Sequence, residues 1–173
     1  MIYRSKAPLR IGLAGGGTDV SPYCDLYGGA ILNATISLSA FASIQPLDEK
    51  VIILEALDRN ETETYPTGNL LPINGKLDLL KGVYNRMIRQ FNLEPAGLRL
   101  TTHVDAPAGS GLGTSSTLVV ALVGAFTEMS RLPLGDYDIA KLAYDIERNE
   151  LALAGGRQDQ YAATFGGVNF MEF

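Results

Sequence analysis

The sequence predicts an α+β fold in which strands come first and helices follow. The first half of the chain contains short segments rich in β-branched or aliphatic residues, which is typical of strands. The second half contains longer segments whose apolar residues recur at helical spacing. With 173 residues and 46% hydrophobic content, the chain is long enough to bury a core and is most simply one domain, or a large piece of one.

Six segments predict the strands. Each is short, and most are separated by stretches that contain Gly, Pro, Asp or Asn, which interrupt regular structure. They are residues 2–6, 10–14, 30–37, 40–47, 51–56 and 97–104. Residues 61–74 show no such pattern and are predicted to form a loop.

Two helices are predicted from apolar periodicity and end signals. Residues 77–91 carry apolar side chains at an approximate i, i+3/i+4 spacing and end before Pro95. Near the end of the chain, Gly135 breaks the pattern, and we expect Asp136 to cap a helix that extends to about Ala154.

A glycine-rich segment between a predicted strand and a third predicted helix carries most of the functional information. The strand ends at Val104, and the helix contains the apolar run 118–126 and extends to about Arg131. Glycines let ligand oxygens approach the backbone, and the first amides of a helix lack intrahelical partners, so this arrangement suits a polyphosphate and its metal. The segment reads Pro107-Ala108-Gly109-Ser110-Gly111-Leu112-Gly113-Thr114-Ser115-Ser116.

The glycine-rich segment taken alone leaves another interpretation open. Glycine-rich turns before helices are common as plain connections. The P-loop pattern is not met because no Lys follows Gly113. The segment therefore predicts phosphate binding without identifying the class of protein.

Two carboxylates fall beside the predicted buried stripe of the last helix. Glu147 is four residues from Ala143, and Glu150 is four residues from Ile146. A carboxylate next to a core-facing stripe needs a partner because burying it alone is costly. An ordinary salt bridge is the alternative to a functional role for each of them.

The charge and the cysteine content exclude several classes of protein. The formal net charge is −5, so the chain has no basic field for a nucleic acid or an anionic membrane, and we expect neither partner. No apolar run approaches the roughly 20 residues needed to span a bilayer. The single Cys24 suits a reducing compartment and excludes a zinc site of the usual kind. We expect a cytoplasmic protein.

Two further segments, together with the glycine-rich one, give the chain a family resemblance. In this order, the three segments resemble the GHMP family of small-molecule kinases, which includes galactokinase, homoserine kinase and mevalonate kinase. The narrower resemblance is to sugar kinases of the heptose 7-phosphate kinase type and then to bacterial fucokinase-like enzymes. The two segments are Leu9-Arg10-Ile11-Gly12-Leu13-Ala14-Gly15-Gly16-Gly17-Thr18-Asp19 and Gly155-Gly156-Arg157-Gln158-Asp159-Gln160-Tyr161.

The resemblance implies a role for each matching residue. The segment from Pro107 to Ser116 is the ATP site, with the amides of residues 109–114 around the phosphates. Ser115 and Glu147 are the implied Mg²⁺ ligands, with Glu150 the alternative carboxylate. Asp159 is the implied catalytic base, and Arg10 is the implied basic residue near the transferring phosphoryl group. Such a set suits phosphoryl transfer, which needs a metal, positive donors and a carboxylate for the acceptor hydroxyl.

The resemblance also implies an acceptor site at Gly15, Gly16, Gly17, Thr18 and Asp19. Galactokinases carry a Glu-His pair where this chain has Gly16 and Gly17, while Asp19 aligns with a sugar-binding aspartate. Removing an acidic side chain favours a phosphorylated acceptor, and the bare amides offer it hydrogen bonds. The implied reaction is ATP-dependent phosphorylation of the anomeric hydroxyl of a sugar phosphate, with heptose 7-phosphate giving heptose 1,7-bisphosphate.

The implied fold is the ribosomal protein S5 domain 2-like N-terminal domain of a GHMP kinase, over residues 1–173. Family members are roughly twice this length, so a C-terminal domain of the same protein is the expected partner. A kinase of an unphosphorylated sugar such as fucose is the alternative function. A non-catalytic ligand- or RNA-binding module of the same fold is the alternative of another class. A dinucleotide-dependent oxidoreductase is disfavoured because the G-x-G-x-x-G spacing is absent.

Overall fold

The computed structural model describes all residues, Met1–Phe173, and gathers six strands into one sheet. The order along the sheet is β1-β2-β5-β3-β4, and β6 pairs with the first part of β2. All neighbouring strands are antiparallel except β3 and β5, which are parallel. The strands are β1 (Tyr3–Ala14), β2 (Ala30–Pro46), β3 (Val51–Ala56), β4 (Glu61–Pro66), β5 (Leu98–Val104) and β6 (Val168–Glu172).

The helices pack against one face of the sheet around a single central helix. That helix, α3, is apolar on almost every side, lies on β1 and β2, and contacts the helices on both of its flanks. Its Val119, Val123 and Phe126 are fully buried. The helices are α1 (Tyr23–Tyr27), α2 (Asp78–Phe91), α3 (Thr114–Ser130), α4 (Asp136–Tyr144) and α5 (Gln158–Phe165), with a 3-10 turn at Leu57–Arg59 and a π-helical turn at Asp145–Glu150.

The predicted α+β class is confirmed, and four of the predicted strands are joined in pairs. Residues 2–6 and 10–14 both lie in β1, whose pairing with β2 shifts register between Pro8 and Arg10. Residues 30–37 and 40–47 likewise form the single long strand β2. Pro8 interrupts the predicted pattern but in the structure accompanies a register shift within β1, because pairing with β2 keeps this strand extended.

Several elements differ from the prediction. The predicted loop 61–74 is wrong over Glu61–Pro66, which pairs with β3 as strand β4. Helices α1 and α5 and strand β6 were not predicted at all. These elements are short, so their stability depends on packing and pairing that a local pattern does not show.

The last long helix begins and ends differently from the prediction. Asp136 is its first helical residue, and the cap is Gly135, whose amide donates to the side chain of Asp138. The regular α-helix ends at Tyr144, and a π-helical turn follows instead of further α-helix to Ala154. None of the helices is long and apolar enough to cross a membrane.

Candidate active site

The glycine-rich segment joins β5 to α3 and presents a row of free backbone amides. Gly109, Gly111 and Gly113 have φ of 79°, 76° and 76°, which turn the chain through the left-handed region. The six consecutive amides of residues 111–116 donate no hydrogen bond within the chain. These amides also lie at the positive end of the α3 dipole, so the loop has the features of an anion site.

Arg10 ties this loop to the first strand. Its backbone amide donates to the carbonyl of Leu112 at 3.1 Å, and its Nη1 donates to the carbonyl of Gly111 at 2.6 Å. The loop carbonyls are therefore turned toward β1, which leaves the amides available on the other side. Arg10 fixes the loop and places a cation beside it.

Asp159 lies against the same arginine. Its Oδ1 accepts hydrogen bonds from Arg10 Nε at 2.7 Å and pairs with Nη2 at 2.6 Å, while Oδ2 accepts none from the chain. A Cβ placed on Gly113 would lie 3.2 Å from Asp159 Cγ. The carboxylate thus abuts the end of the glycine-rich loop, as the predicted role of a base near the transferred phosphoryl group requires.

Glu147 is fully buried and contacts the start of α3. Its Oε1 accepts a hydrogen bond from Ser115 Oγ at 3.0 Å, and its Oε2 accepts one from Gln160 Nε2 at 2.6 Å. Gln160 Nε2 also lies 3.0 Å from Ser116 Oγ. A π-helical turn is wider than an α-helical one, and here it leaves both Ile146 and Glu147 buried. The two predicted metal-site residues, Ser115 and Glu147, are therefore in direct contact.

Glu150 occupies a different environment. Its two carboxylate oxygens pair with Arg86 and Arg89 of α2, and its side chain remains partly exposed. This is the salt bridge that the sequence left open as the ordinary interpretation. The structure thus brings Glu147, and not Glu150, to the glycine-rich loop.

The glycine triplet after β1 is open, whereas the aspartate that follows it is not. The amides of Gly15, Gly16 and Gly17 donate no hydrogen bond within the chain, and a Cβ on Gly16 or Gly17 would meet nothing within 4 Å. Thr18 Oγ1 donates to the carbonyl of Gly15 at 2.7 Å. Asp19 is only 2% exposed. Its Oδ2 accepts hydrogen bonds from the backbone amides of Arg157, just before α5, and Gln158, the first residue of α5.

Two polar residues of the site were missed by sequence reasoning. Gln160 is buried between Glu147 and Ser116, and Arg148 reaches Ser116 Oγ at 3.5 Å and the carbonyls of Leu153 and Gly156 at 3.3 Å. Gln160 follows Asp159 directly, and Arg148 follows Glu147 directly. That adjacency to functional candidates was the only signal available for either residue.

A cavity lies beside the first turns of α3. It has a volume of about 260 Å³ and mostly apolar walls. Leu118, which lines the cavity, lies one turn along α3 from Thr114 at the start of the helix. Its apolar walls include Ala56, Ile73, Leu77, Leu118 and Leu151.

The arrangement of the site agrees with a match to known proteins. A family model described as the GHMP kinases N terminal domain matches residues 78–167, just over half of the chain. The chain belongs to the GHMP kinase family. The resemblance predicted from the three sequence segments is confirmed.

This GHMP kinase chain is similar to several named proteins along nearly its whole length. It is 53% identical to the D-glycero-alpha-D-manno-heptose 7-phosphate kinase of Campylobacter jejuni, over 98% of this chain and 50% of that protein. It is 29% identical to the L-fucokinase/L-fucose-1-P guanylyltransferase of Bacteroides fragilis, over 96% of this chain and 20% of that protein.

A solved structure shows the same fold as this GHMP kinase chain. The crystal structure of a D-glycero-D-manno-heptose 1-phosphate kinase from Bacteroides thetaiotaomicron superposes with a TM-score of 0.96 at 57% identity. The match covers 100% of this chain and 56% of that one. The chain therefore spans about half the length of the heptose kinases it matches.

Proposed function

We propose that this chain is the nucleotide-binding part of an ATP-dependent kinase that phosphorylates a sugar phosphate. The observation that carries the proposal is the convergence of three separate segments on one loop. The free amides of residues 111–116, the Ser115–Glu147 pair and the Arg10–Asp159 pair all lie at the start of α3. Phosphoryl transfer needs these three functions, which are an anion site, a metal site and a carboxylate for the acceptor.

ATP occupies the glycine-rich loop in this proposal. Its phosphates accept hydrogen bonds from the amides between Gly111 and Ser116, which have no other partners. The nucleoside of ATP binds in the apolar cavity lined by Leu118. This cavity borders the same helix, and its apolar walls suit the flat base of the nucleoside.

The donors at the start of α3 fit a magnesium ion. Ser115 offers a hydroxyl and Glu147 a carboxylate, and Mg²⁺ in nucleotide sites is held by one or two such oxygens together with phosphate oxygens and water. Ser115 is exposed, whereas Glu147 is buried behind it. When bound, the ion neutralises charge on the phosphate oxygens. Gln160 donates to the other oxygen of the Glu147 carboxylate, and Arg148 lies 3.7 Å from the oxygen that Ser115 contacts, so both orient this carboxylate.

Asp159 and Arg10 act on the reacting groups. Oδ2 of Asp159 has no hydrogen bond within the chain, so it is free to accept the proton of the acceptor hydroxyl. Arg10 holds Oδ1 and keeps the carboxylate oriented. The same guanidinium places positive charge beside the loop, where negative charge accumulates on the transferring phosphoryl group.

The acceptor lies against the glycine triplet. Gly15, Gly16 and Gly17 provide three unpaired amides and free space, which suit a phosphorylated sugar. Oδ1 of Asp19 is the carboxylate oxygen that remains for a ring hydroxyl. The similarity to a D-glycero-alpha-D-manno-heptose 7-phosphate kinase supports heptose 7-phosphate as the acceptor. In this proposal the anomeric hydroxyl is the reacting group.

The intact protein provides the remaining walls of the acceptor site. The heptose kinases that the chain matches are about twice as long. In the intact protein, the additional length forms a second domain that closes over the glycine triplet. Activity is therefore to be measured on the intact protein.

A coupled ADP-release assay tests the proposal. We expect kcat/KM to be highest for heptose 7-phosphate, lower for fucose and lowest for galactose, with Asp159→Asn as the inactive control. A preference for either neutral sugar would contradict the phosphorylated acceptor and leave the kinase assignment intact. The absence of ATP turnover with every sugar tested would contradict the kinase assignment itself.

A further inference from the structure

One peptide unit just before α5 is held from both sides by charged residues, the buried Asp19 and the mostly buried Arg148. The carbonyl of Gly156 accepts a hydrogen bond from Arg148 Nε at 3.3 Å. The amide on the other side of the same peptide bond, that of Arg157, donates to Asp19 Oδ2 at 2.7 Å. The next amide, that of Gln158, donates to the same oxygen at 2.9 Å.

Asp19 supplies a cap that α5 lacks in its own sequence. The N-cap residue Arg157 makes no side-chain capping hydrogen bond. The first amides of a helix need acceptors, and a carboxylate is a favourable one at the positive end of the helix dipole. Asp19 meets this need from 138 residues away in the chain.

The close approach of Asp19 depends on Gly156. A Cβ at that position would lie 2.0 Å from Asp19 Oδ2, so any other residue would push the carboxylate away. Asp19 is 2% exposed and has no cationic partner within 4.0 Å. A buried carboxylate without a counter-charge is costly, and the two backbone amides offset that cost.

We propose that Asp19 and Arg148 are positioning residues that fix the catalytic carboxylate Asp159 relative to the phosphate loop. This inference rests on the proposed kinase function. Asp159 is the second residue of α5, so a shift of the clamped peptide moves it directly. Arg148 directly follows Glu147, so the clamp also links the metal-side carboxylate to the base.

The proposal gives Asp19 a role distinct from that of a sugar ligand. Oδ2 is committed to the two amides, and only Oδ1 remains for a ligand. In Asp19→Asn, the side-chain carbonyl oxygen can still accept hydrogen bonds from both backbone amides. The other oxygen is replaced by an NH2 group, which donates hydrogen bonds and cannot accept them. In Asp19→Ala both functions are lost. The two substitutions therefore separate positioning from sugar binding.

The experiment combines steady-state kinetics with amide hydrogen exchange on the intact protein. We expect Asp19→Ala to lower kcat about 100-fold, the cost of a misplacement near 1 Å, whereas loss of the Oδ1 contact raises KM for the sugar in both Asp19→Ala and Asp19→Asn. Exchange at the amides of Arg157 and Gln158 should accelerate in Asp19→Ala. Asp19→Asn should restore most of kcat and the slow exchange. A role as a sugar ligand alone would raise KM in both variants and leave kcat and exchange unchanged, which would overturn the proposal.

Two further variants keep the test decisive. Arg148→Lys retains the positive charge but loses the guanidinium group that donates to the carbonyl of Gly156. Exchange at the amide of Arg157 should therefore accelerate in this variant too, which provides a second test if Asp19→Ala fails to fold. Asp138→Ala removes a carboxylate that caps α4 and should change neither kcat nor exchange in α5. Normal turnover in Asp19→Ala would overturn the positioning role alone. No turnover in the unsubstituted protein would overturn the proposed function.

Discussion

One carboxylate oxygen of Asp159, Oδ1, accepts hydrogen bonds from Arg10, and the other, Oδ2, has no hydrogen bond within the chain. Glu147 is fully buried and contacts Ser115, Gln160 and Arg148. The two carboxylates differ in exposure and in partners. At the scale of single residues, this contrast supports the proposed roles, in which Asp159 accepts the proton and Glu147 contributes a negative charge to the metal site.

Asp159→Asn should lower kcat by about 10²–10⁴, the range for loss of a general base, with little effect on nucleotide affinity. The amide preserves the contact with Arg10 through its oxygen, so the loop should stay in place. Single-turnover kinetics and a fluorescent nucleotide titration measure the two quantities. Near-normal turnover would show that Asp159 is structural.

Glu147→Gln should raise the Mg²⁺ concentration needed for half-maximal activity by about 10–100-fold. Glu150→Gln is the matched control, because Glu150 binds Arg86 and Arg89 and does not contact the loop. Magnesium titrations of the two variants give the comparison. An equal shift in both would contradict the assignment of Glu147.

At the scale of elements, two features depend on particular side chains: the conformation of the glycine-rich loop and the ion pair that joins α2 to β4. The loop needs φ near +76° at Gly113, directly against Asp159. Lys81 of α2 is fully buried and pairs with Glu63 of β4 at 2.6 Å. Asn74 accepts a further hydrogen bond from Lys81 at 2.7 Å.

Gly113→Ala should weaken ATP binding about tenfold, because the left-handed conformation costs a residue with a Cβ about 1–2 kcal/mol. The new methyl group would also press on Asp159. Gly12→Ala is the control, since a Cβ there meets nothing within 4 Å and φ is not positive. Isothermal titration with a nonhydrolysable ATP analogue provides the measurement, and equal affinities for the two variants would exclude the loop as the nucleotide site.

The Lys81–Glu63 pair should make stability depend on pH at both extremes. Burial acts to raise the pKa of Glu63, but the hydrogen bond from Lys81 holds the pKa below its ordinary value of 4.5. Burial acts to lower the pKa of Lys81, but the hydrogen bond with Glu63 holds that pKa above 10.5. The contribution of Glu63 is present above its unfolded pKa and is lost as the pH falls. The contribution of Lys81 is present below its unfolded pKa and is lost as the pH rises.

Urea unfolding of the unsubstituted protein and of the Lys81→Met, Glu63→Gln double variant measures this dependence. We expect the difference in unfolding free energy between them to be constant from about pH 5 to pH 10 and to shrink outside that window. The buried Tyr84 hydroxyl, whose pKa is raised by burial, is present in both proteins and cancels in the difference. A difference that does not vary with pH would contradict the pairing.

At the scale of the whole molecule, the site is assembled from segments distant in sequence around α3. Arg10 comes from the first strand, the loop from the middle of the chain, and Glu147 and Asp159 from its last third. Central α3 contacts both the sheet and the helices that carry these residues. Ligand binding at the loop is therefore coupled to the stability of the entire fold.

ATP with Mg²⁺ should raise the unfolding free energy of the intact protein by about 2.7 kcal/mol at a ligand concentration 100 times Kd. AMP, which lacks the β- and γ-phosphates, is the control and should stabilise much less at the same concentration. Thermal unfolding scans with both nucleotides provide the measurement. Equal stabilisation by AMP and ATP would show that the polyphosphate does not contact the amides of the loop.

The sequence by itself determined the strand-loop-helix context of the glycine-rich segment, the apolar helix α3 and the family to which the chain belongs. Each of these features can be recognised from residues close together in the sequence, by helical periodicity, by the spacing of glycines and by the position of a helix start, where backbone amides are free. The family resemblance then named Arg10, Ser115 and Asp159 as candidates before any contact between them was known.

Only the tertiary structure showed that Glu147, and not Glu150, contacts the glycine-rich loop and that Asp19 caps α5. Both glutamates lay near the predicted stripe, and the π-helical turn and the arginines of α2 separated them. Strands β4 and β6 and helix α5 also escaped prediction. Short elements gain their stability from pairing and burial between distant parts of the chain. The role of a buried carboxylate depends on the amides and cations that the fold places next to it, and these come from distant segments.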